Sequence, residues 1–424
     1  MKEKKKKDIF SNIIGYDNIK QHLKRTIDVL NNPEKYKKLG SRIPKGLFLY
    51  GPPGIGKTCI AQNFIDYTNR KSYIVRKNKA DENFIEHLND IFKQAKETQP
   101  SLILLDDLDK FSEAQDKKSS KEFATVQSLI DEVKDDDIFI IATANWKYDI
   151  PDSLLRSGRF DIIVEVENPR DEDSYKIIKH YLSNKQIDKN VNARNISYIL
   201  KRVSCADLEN ICNEAGIYAG YKNKKSIGME ELIKASLEHT YNEIIDDLNE
   251  ENEYTQRVAY HEAAHALIAN LLQPQSVLAV SVIKIGNNKG VTVYSGGDYI
   301  DDIDVVKNKI KILLAGKAAL EIVYNKCDIG SDRDTNNAYS LARRLVSDYT
   351  FFGFDSISNS FDSSDIVKNN KDKNATKILD MYYNEVKQIL LQNRNKLDVL
   401  ANELKEKKIL FKEDIYNIIN SCNK

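Results

Sequence analysis

His261-Glu-Ala-Ala-His265 sets two imidazoles four residues apart with a glutamate beside the first. On a helix such positions share a face, so both rings can meet one zinc ion while Glu262 projects toward the water bound there. Ala263 and Ala264 favour that helix. Zinc in a hydrolase takes a third protein ligand and keeps its fourth position for water. The extended spacing HExxHxxGxxH is absent, because Ala-Leu-Ile-Ala-Asn-Leu-Leu follows His265. The third ligand therefore comes from elsewhere. Residues 328–343 offer acids at the start of a predicted helix, and their chemistry leaves Asp328, Asp332 and Asp334 all open.

A second constellation is Gly51-Pro52-Pro53-Gly54-Ile55-Gly56-Lys57-Thr58, a full match to GxxxxGK[ST] between a predicted strand and a predicted helix. Backbone N–H groups of such a loop converge on phosphate oxygens, and the helix adds its positive end. Lys57 would reach the β- and γ-phosphates, and the Thr58 hydroxyl would ligate magnesium. The apolar run Leu102–Leu105 leads into Asp106-Asp107. One acid there holds magnesium and the other orients the attacking water. Asn145, at the tip of a third apolar run, is placed to hold the same water or read the γ-phosphate. Downstream, Arg156 and Arg159 lie three apart and suggest fingers that stabilise transition-state charge in a neighbouring subunit.

These groups need a scaffold. Lys45–Tyr50, Leu102–Leu105 and Ile138–Ala142 read as continuous apolar strands separated by helical patterns, as in a parallel sheet covered on both faces. Helical spacing continues through Ile177, Ile178 and Tyr181, then Leu208, Ile211, Cys212 and Ala215. The polar run 246–253 reads as a hinge. Beyond it the pattern is mostly helical, apart from two β-rich runs around Gly286–Gly290 that predict a hairpin. The Lys- and Asn-rich patch 368–373 reads as solvated loop. The expected division is an α/β nucleotide-binding part at 1–170, a helical part at 171–245, a linker at 246–256 and a metal-binding, mostly helical part at 257–424.

With 424 residues, two to four domains are expected. Lys+Arg and Asp+Glu both number 64, which excludes a basic nucleic-acid-coating chain and an acidic disordered one. Nothing approaches 18 consecutive apolar residues, and the basic start leads into no apolar h-region, so a soluble chain is expected. Cys59, Cys205, Cys212, Cys327 and Cys422 are odd in number and form no CxxC pair, which implies reduced thiols in a cytosol-like compartment.

In order along the chain stand the phosphate loop, the acid-tipped strand, Ala-Thr-Ala-Asn145, Leu-Leu-Arg156-Ser-Gly-Arg159-Phe-Asp, Cys205-Ala-Asp-Leu-Glu-Asn-Ile-Cys, and His-Glu-Ala-Ala-His. Together they resemble the FtsH family of AAA+ ATP-dependent zinc metalloproteases, from about Phe10 to the end and weakest over the last seventy or so residues. The resemblance implies a multidomain fold: an AAA+ core with a parallel sheet, a helical lid, and a mostly helical metallopeptidase domain with a small hairpin. It implies zinc and ATP with Mg2+ as cofactors. It also implies a homo-oligomeric ring, typically a hexamer, that pulls polypeptide substrates into a proteolytic chamber, with no nucleic-acid partner. The family's Ser-Asn-Asp falls on Asp332-Arg333-Asp334, which implies Asp334 as third ligand with Asp332 in reserve. Asn145 falls on sensor 1, Arg156 and Arg159 on the arginine fingers, and Ile14-Gly15 near the adenine pocket. Residues 277–283 resemble the edge strand that binds substrate by β-augmentation.

Four features depart from the family. Its membrane-spanning N-terminal region has no counterpart here, so a cytoplasmic protein is expected, membrane-associated if an anchor has been removed. Asp107 stands where the family has glutamate. Losing a methylene retracts the carboxylate by roughly 1.5 Å, and a displacement near 1 Å can cost about a hundredfold in rate, so slow ATP hydrolysis is expected. The aromatic–hydrophobic–glycine pore loop is not intact, with Phe84-Ile85-Glu86 as its only remnant. Cys205 replaces a glycine. Two further readings compete with an ATP-dependent endopeptidase: a remodelling ATPase with a little-used protease domain, and a zinc peptidase with a weak ATP-driven gate.

Overall fold

The computed structural model describes residues 9–77, 83–112, 120–245, 255–284, 290–294, 302–325, 331–349 and 365–421. They fall into two compact units, Met1–Ala193 with Leu200–Gly228, and Arg194–Ile199 with Met229–Lys424. The helix Met229–Tyr241, expected with the helical part at 171–245, clusters in the second unit.

The first unit opens with helices α1 (Asp17–Asn31) and α2 (Pro33–Lys37). Strand β1 (Gly46–Tyr50) and helix α3 (Lys57–Asp66) follow, then β2 (Lys71–Val75), α4 (Phe84–Glu97), β3 (Ser101–Leu105), α5 (Lys121–Glu132), β4 (Ile138–Ala144) and β5 (Ile162–Glu165). The five strands form one parallel sheet in the order β2-β3-β4-β1-β5. Successive strand residues face opposite sides, and both sides are covered. Leu47, Leu49, Leu102, Leu104, Phe139 and Ile141 pack with Leu23, Ile27 and Phe64 of α1 and α3. Phe48, Ile103, Leu105, Ile140 and Ala142 pack with Leu88, Phe92, Phe123 and Val126 of α4 and α5. This double burial explains why the three central strands read as unbroken apolar runs. The outer strands β2 and β5 are only partly buried, and neither gives a long unbroken apolar run. After the sheet come α6 (Asp171–Leu182), the short α7 (Ala193–Ile199), of which Arg194–Ile199 cluster with the second unit, and α8 (Cys205–Tyr221), which Ser204 caps by accepting from the Asp207 N–H.

In the second unit α9 (Met229–Tyr241) precedes α10 (Thr255–Leu272), which carries the two histidines. Buried residues lie on every side of α10, from Ala259 through Ala263, Ala264, Ala266, Leu267 and Ile268. It is a central core helix. Strands β6 (Val277–Ser281) and β7 (Val291–Tyr294) are followed by α11 (Ile303–Tyr324), α12 (Asp332–Ser347), α13 (Asp365–Gln392), α14 (Arg394–Lys407), β8 (Ile409–Phe411) and α15 (Lys412–Ser421). Two expectations are corrected here. The hairpin strands gain β8, which the sequence reading missed, and the sheet order is β7-β6-β8. Consequently residues 277–283 are not a free edge: β6 is hydrogen-bonded on both sides, and the Val282 N–H donates to the Lys408 carbonyl. The patch 368–373 lies within helix α13, where Lys371 is buried, rather than in a solvated loop. The turn 285–289 lies outside the described residues.

Candidate nucleotide and metal centres

The phosphate loop runs from the tip of β1 into the first turn of α3. Lys57 is only 6% exposed. Its ammonium donates to the Gly51 carbonyl at 2.8 Å, the Pro52 carbonyl at 2.8 Å and Asn145 Oδ1 at 2.9 Å. Burial lowers its pKa, against the opposing pull of Asp107, Asp109 and Asp106. Pro53 is exposed, Ile55 is buried, and the Gly54 carbonyl accepts from the Ala206 N–H at 2.9 Å, docking α8 directly on the loop. Cys205, the residue that replaces a glycine, hydrogen-bonds through its thiol to the Ile55 carbonyl at 3.7 Å and shares a 3.4 Å contact with the Tyr16 hydroxyl. Its effect is thus to tie the loop to the segment that includes Gly15, where a Cβ would stand 2.8 Å from Asp173 Oδ1.

Asp106 follows β3 and is 1% exposed. Its Oδ1 accepts from Thr58 at 3.0 Å and from Thr143 at 2.7 Å. Asp107 sits at φ 54 and pairs with Lys110 at 2.7 Å. Asn145 also donates to Asp109 at 3.2 Å, and Asp109 Oδ1 is buried without a partner among the described residues. A buried lysine, a hydroxyl on a buried carboxylate and an unpartnered buried oxygen fit a triphosphate with its magnesium. The two arginines differ. Arg156 is exposed, and no ion pair is seen for it among the described residues. Arg159 makes a two-pronged pair with Asp131 at 2.8 and 2.7 Å and donates to the Ser153 carbonyl.

Phe84, read as a remnant of a pore loop, is 3% exposed and meets Phe111 edge-on at 4.8 Å between ring centres. That expectation is corrected: Phe84 is a core residue opening α4, because an aromatic at a helix start beside an apolar sheet face is drawn inward. Residues 78–82 before it lie outside the described residues.

The metal centre is assembled by helices α10, α11 and α12 and by β7. His261 and His265 stand one turn apart, with Nε2 atoms 3.0 Å from each other. Asp334, in the first turn of α12, brings Oδ2 to 3.2 Å from His261 Nε2 and 3.4 Å from His265 Nε2. Around an ion with bonds of about 2.0–2.1 Å, tetrahedral ligands lie roughly 3.3–3.4 Å apart, so these three atoms fit zinc. Asp332 instead accepts from Asn336, and Asp328 lies outside the described residues. Burial pushes the Asp334 pKa up, but hydrogen bonds from His261 and His265 outweigh it and hold the carboxyl well below the usual carboxylate range. The Ile312 carbonyl, 2.7 Å from His265 Nδ1, fixes the tautomer that turns Nε2 toward the other ligands.

Several contributors escaped the sequence reading. Thr292 on β7 donates to Glu262 Oε2 at 2.8 Å. A Cβ on Gly316 would stand 2.3 Å from the His261 ring, and one on Gly290 would stand 2.7 Å from Glu262 Cγ. Both glycines exist to let other side chains in. A lone glycine inside the apolar helix α11 was the available signal, since it weakens a helix by about 1 kcal/mol relative to alanine.

Comparisons with known proteins match both parts of the chain. The family model described as ATPase family associated with various cellular activities (AAA) matches residues 47–168, and that of peptidase family M41 matches residues 248–418. ATP-dependent zinc metalloprotease FtsH 2 of Thermoanaerobacter sp. is 31% identical over 96% of this chain and 82% of its own length. The FtsH of Karelsulcia muelleri is 30% identical over 97% of this chain and 71% of its own. That of Bacillus subtilis is 29% identical over 99% and 71% respectively. An AAA region and a peptidase M41 region thus lie in one chain, nearly all of which aligns with these relatives, and it belongs to the FtsH family of ATP-dependent zinc metalloproteases.

Proposed function

We propose that the protein is an endopeptidase in which ATP hydrolysis drives polypeptide toward a zinc centre within a homo-oligomeric ring, a hexamer in its usual form. The observation that carries this reading is the convergence of His261, His265 and Asp334, with ligand atoms within 4.8 Å of one another, in a chain that also builds a phosphate cradle. When bound, zinc supplies Lewis acidity at the scissile carbonyl and acidifies a water, and magnesium supplies positive charge along the phosphates. Glu262, steadied by Thr292, takes the proton of the attacking water and delivers it to the leaving amine. In the ATPase site Lys57 would neutralise phosphate charge, and Thr58 and Asp106 would hold magnesium. Asp107 and Asn145 orient the attacking water, and Gly15 borders the adenine.

Arg156 reaches the neighbouring subunit's nucleotide, and Arg159, engaged with Asp131, shapes the loop that carries it. The working division is an ATPase part at 1–170, a lid at 171–245, a linker at 246–256 and the peptidase at 257–424. Among the described residues no helix is long and apolar enough to cross a membrane. The protein acts in the cytoplasm on protein substrates, without nucleic acid. A second reading, a zinc peptidase with a weak ATP-driven gate, draws support from the short Asp107 side chain and its pairing with Lys110.

Zinc-loaded protein should be incubated with a folded and an unfolded substrate, with and without ATP. ATP-dependent cleavage of both supports the motor. ATP-independent cleavage of the unfolded substrate alone supports the gate. No cleavage, or cleavage that survives Glu262→Gln, would defeat both.

A further inference from the structure

Strands β2 and β3 are parallel neighbours with Val75 opposite Leu105, and the Asp106 N–H donates to the Val75 carbonyl at 2.9 Å. The residues just past the two strand ends, Arg76 and Asp106, are therefore forced side by side. Arg76 uses this. Its Nε lies 2.6 Å and its Nη2 2.5 Å from the same oxygen, Asp106 Oδ2. The other oxygen already accepts from Thr58 and Thr143. Four donors come close to saturating a carboxylate, and a cation approaching Asp106 meets an internal cation already seated on Oδ2.

The two partners are unequally free. Asp106 is 1% exposed and cannot turn to water, whereas the Arg76 side chain is 59% exposed. A buried carboxylate is costly without a counter-charge, so one cation must be exchanged for another rather than simply lost. The backbone on both sides is pinned: Val75 lies in the sheet, and Lys77 donates to the Phe111 carbonyl at 2.7 Å and pairs with Glu122 at 3.1 Å. Release of Arg76 is a swing of one side chain into solvent.

We infer that Arg76 is the resident counter-ion of Asp106 in the nucleotide-free subunit and that magnesium–nucleotide must displace it, so Arg76 sets how much magnesium the site requires. The inference rests on the reading of the phosphate loop and Asp106 as a magnesium–nucleotide site. Arg76 is a positioning residue: it acts on the Asp106 carboxylate.

The test is equilibrium binding of a fluorescent ATP analogue to the full chain, titrated with magnesium and repeated in EDTA, for the parent, Arg76→Gln and Arg76→Lys. The parent must bind the analogue in a magnesium-dependent way; failure there overturns the site itself and the inference with it. The expected result is at least a fivefold fall in half-saturating magnesium for Arg76→Gln, with EDTA affinity equal or weaker. Arg76→Lys, which keeps charge but loses the two-pronged grip, should fall by about twofold to threefold. An unchanged or higher magnesium requirement with normal parent binding overturns the inference alone. So does weaker binding by the same factor with and without magnesium, because that marks an arginine that contacts phosphate. Should Arg76→Gln fail to fold, Arg76→Lys decides: a fall of about twofold to threefold supports the inference, and an unchanged or higher requirement overturns it.

Discussion

Asp107 combines a short side chain with an ion pair to Lys110 at 2.7 Å. Asp107→Glu restores the missing methylene, and ATP turnover should rise by up to about a hundredfold; an equal or lower turnover would refute the idea that the shorter acid slows hydrolysis. At the zinc centre, burial opposes charge on His265, but Asp334, Glu262 and the Ile312 carbonyl together raise its pKa. Protonated His265 therefore stabilises the metal-free fold below the ordinary histidine range, and this contribution fades as pH rises through the raised value. Zinc requires the neutral ring. The zinc-induced rise in Tm should accordingly grow between about pH 6 and pH 8, and a rise that shrinks over that interval would contradict the assignment.

Helix α11 contributes to the metal centre through Gly316, whose missing side chain admits His261. Gly316→Ala should favour the isolated helix yet lower zinc affinity by about ten- to a hundredfold, read by competition with a chromogenic chelator. Unaltered affinity would show that His261 has another place to go. Helix α4 presents a different case. Phe84 belongs to the core beneath the sheet, so Phe84→Ala should cost about 3–5 kcal/mol of stability. Both ATPase and proteolysis should fall together with the melting temperature. Loss of proteolysis alone at unchanged stability would restore a substrate-gripping role.

Assembly decides what the two arginines do. Arg159 is held within its own subunit by Asp131 and Ser153. Its replacement by alanine should cost about 1 kcal/mol or less, as for other partly exposed ion pairs. Arg156 is exposed and available to a neighbour. Arg156→Ala should lower ATP turnover at least about tenfold without weakening nucleotide binding. Mixing Arg156→Ala with Lys57→Ala subunits tests action between subunits. Each variant alone should be nearly inactive, and the mixture should recover turnover; no recovery would place the arginine's action inside one subunit.

Local spacing picked out the histidine pair and the phosphate loop. Backbone geometry makes i and i+4 neighbours on any helix, and a glycine-rich turn between strand and helix exposes N–H groups wherever it occurs. The central strands were legible because burial on both faces leaves unbroken apolar runs. Outer strands β2 and β5 were not, since partial exposure gives them mixed residues, and β8 is only three residues long. Sequence chemistry left three aspartates open for the metal. Resemblance favoured Asp334, and the packing of both α10 and α12 on α11 brought its carboxylate within reach of both imidazoles. Long-range contacts of this kind, like Arg76 on Asp106 and Gly316 beneath His261, depend on which elements become neighbours. No local pattern encodes that choice, because it follows from how the apolar faces of distant segments cover one another.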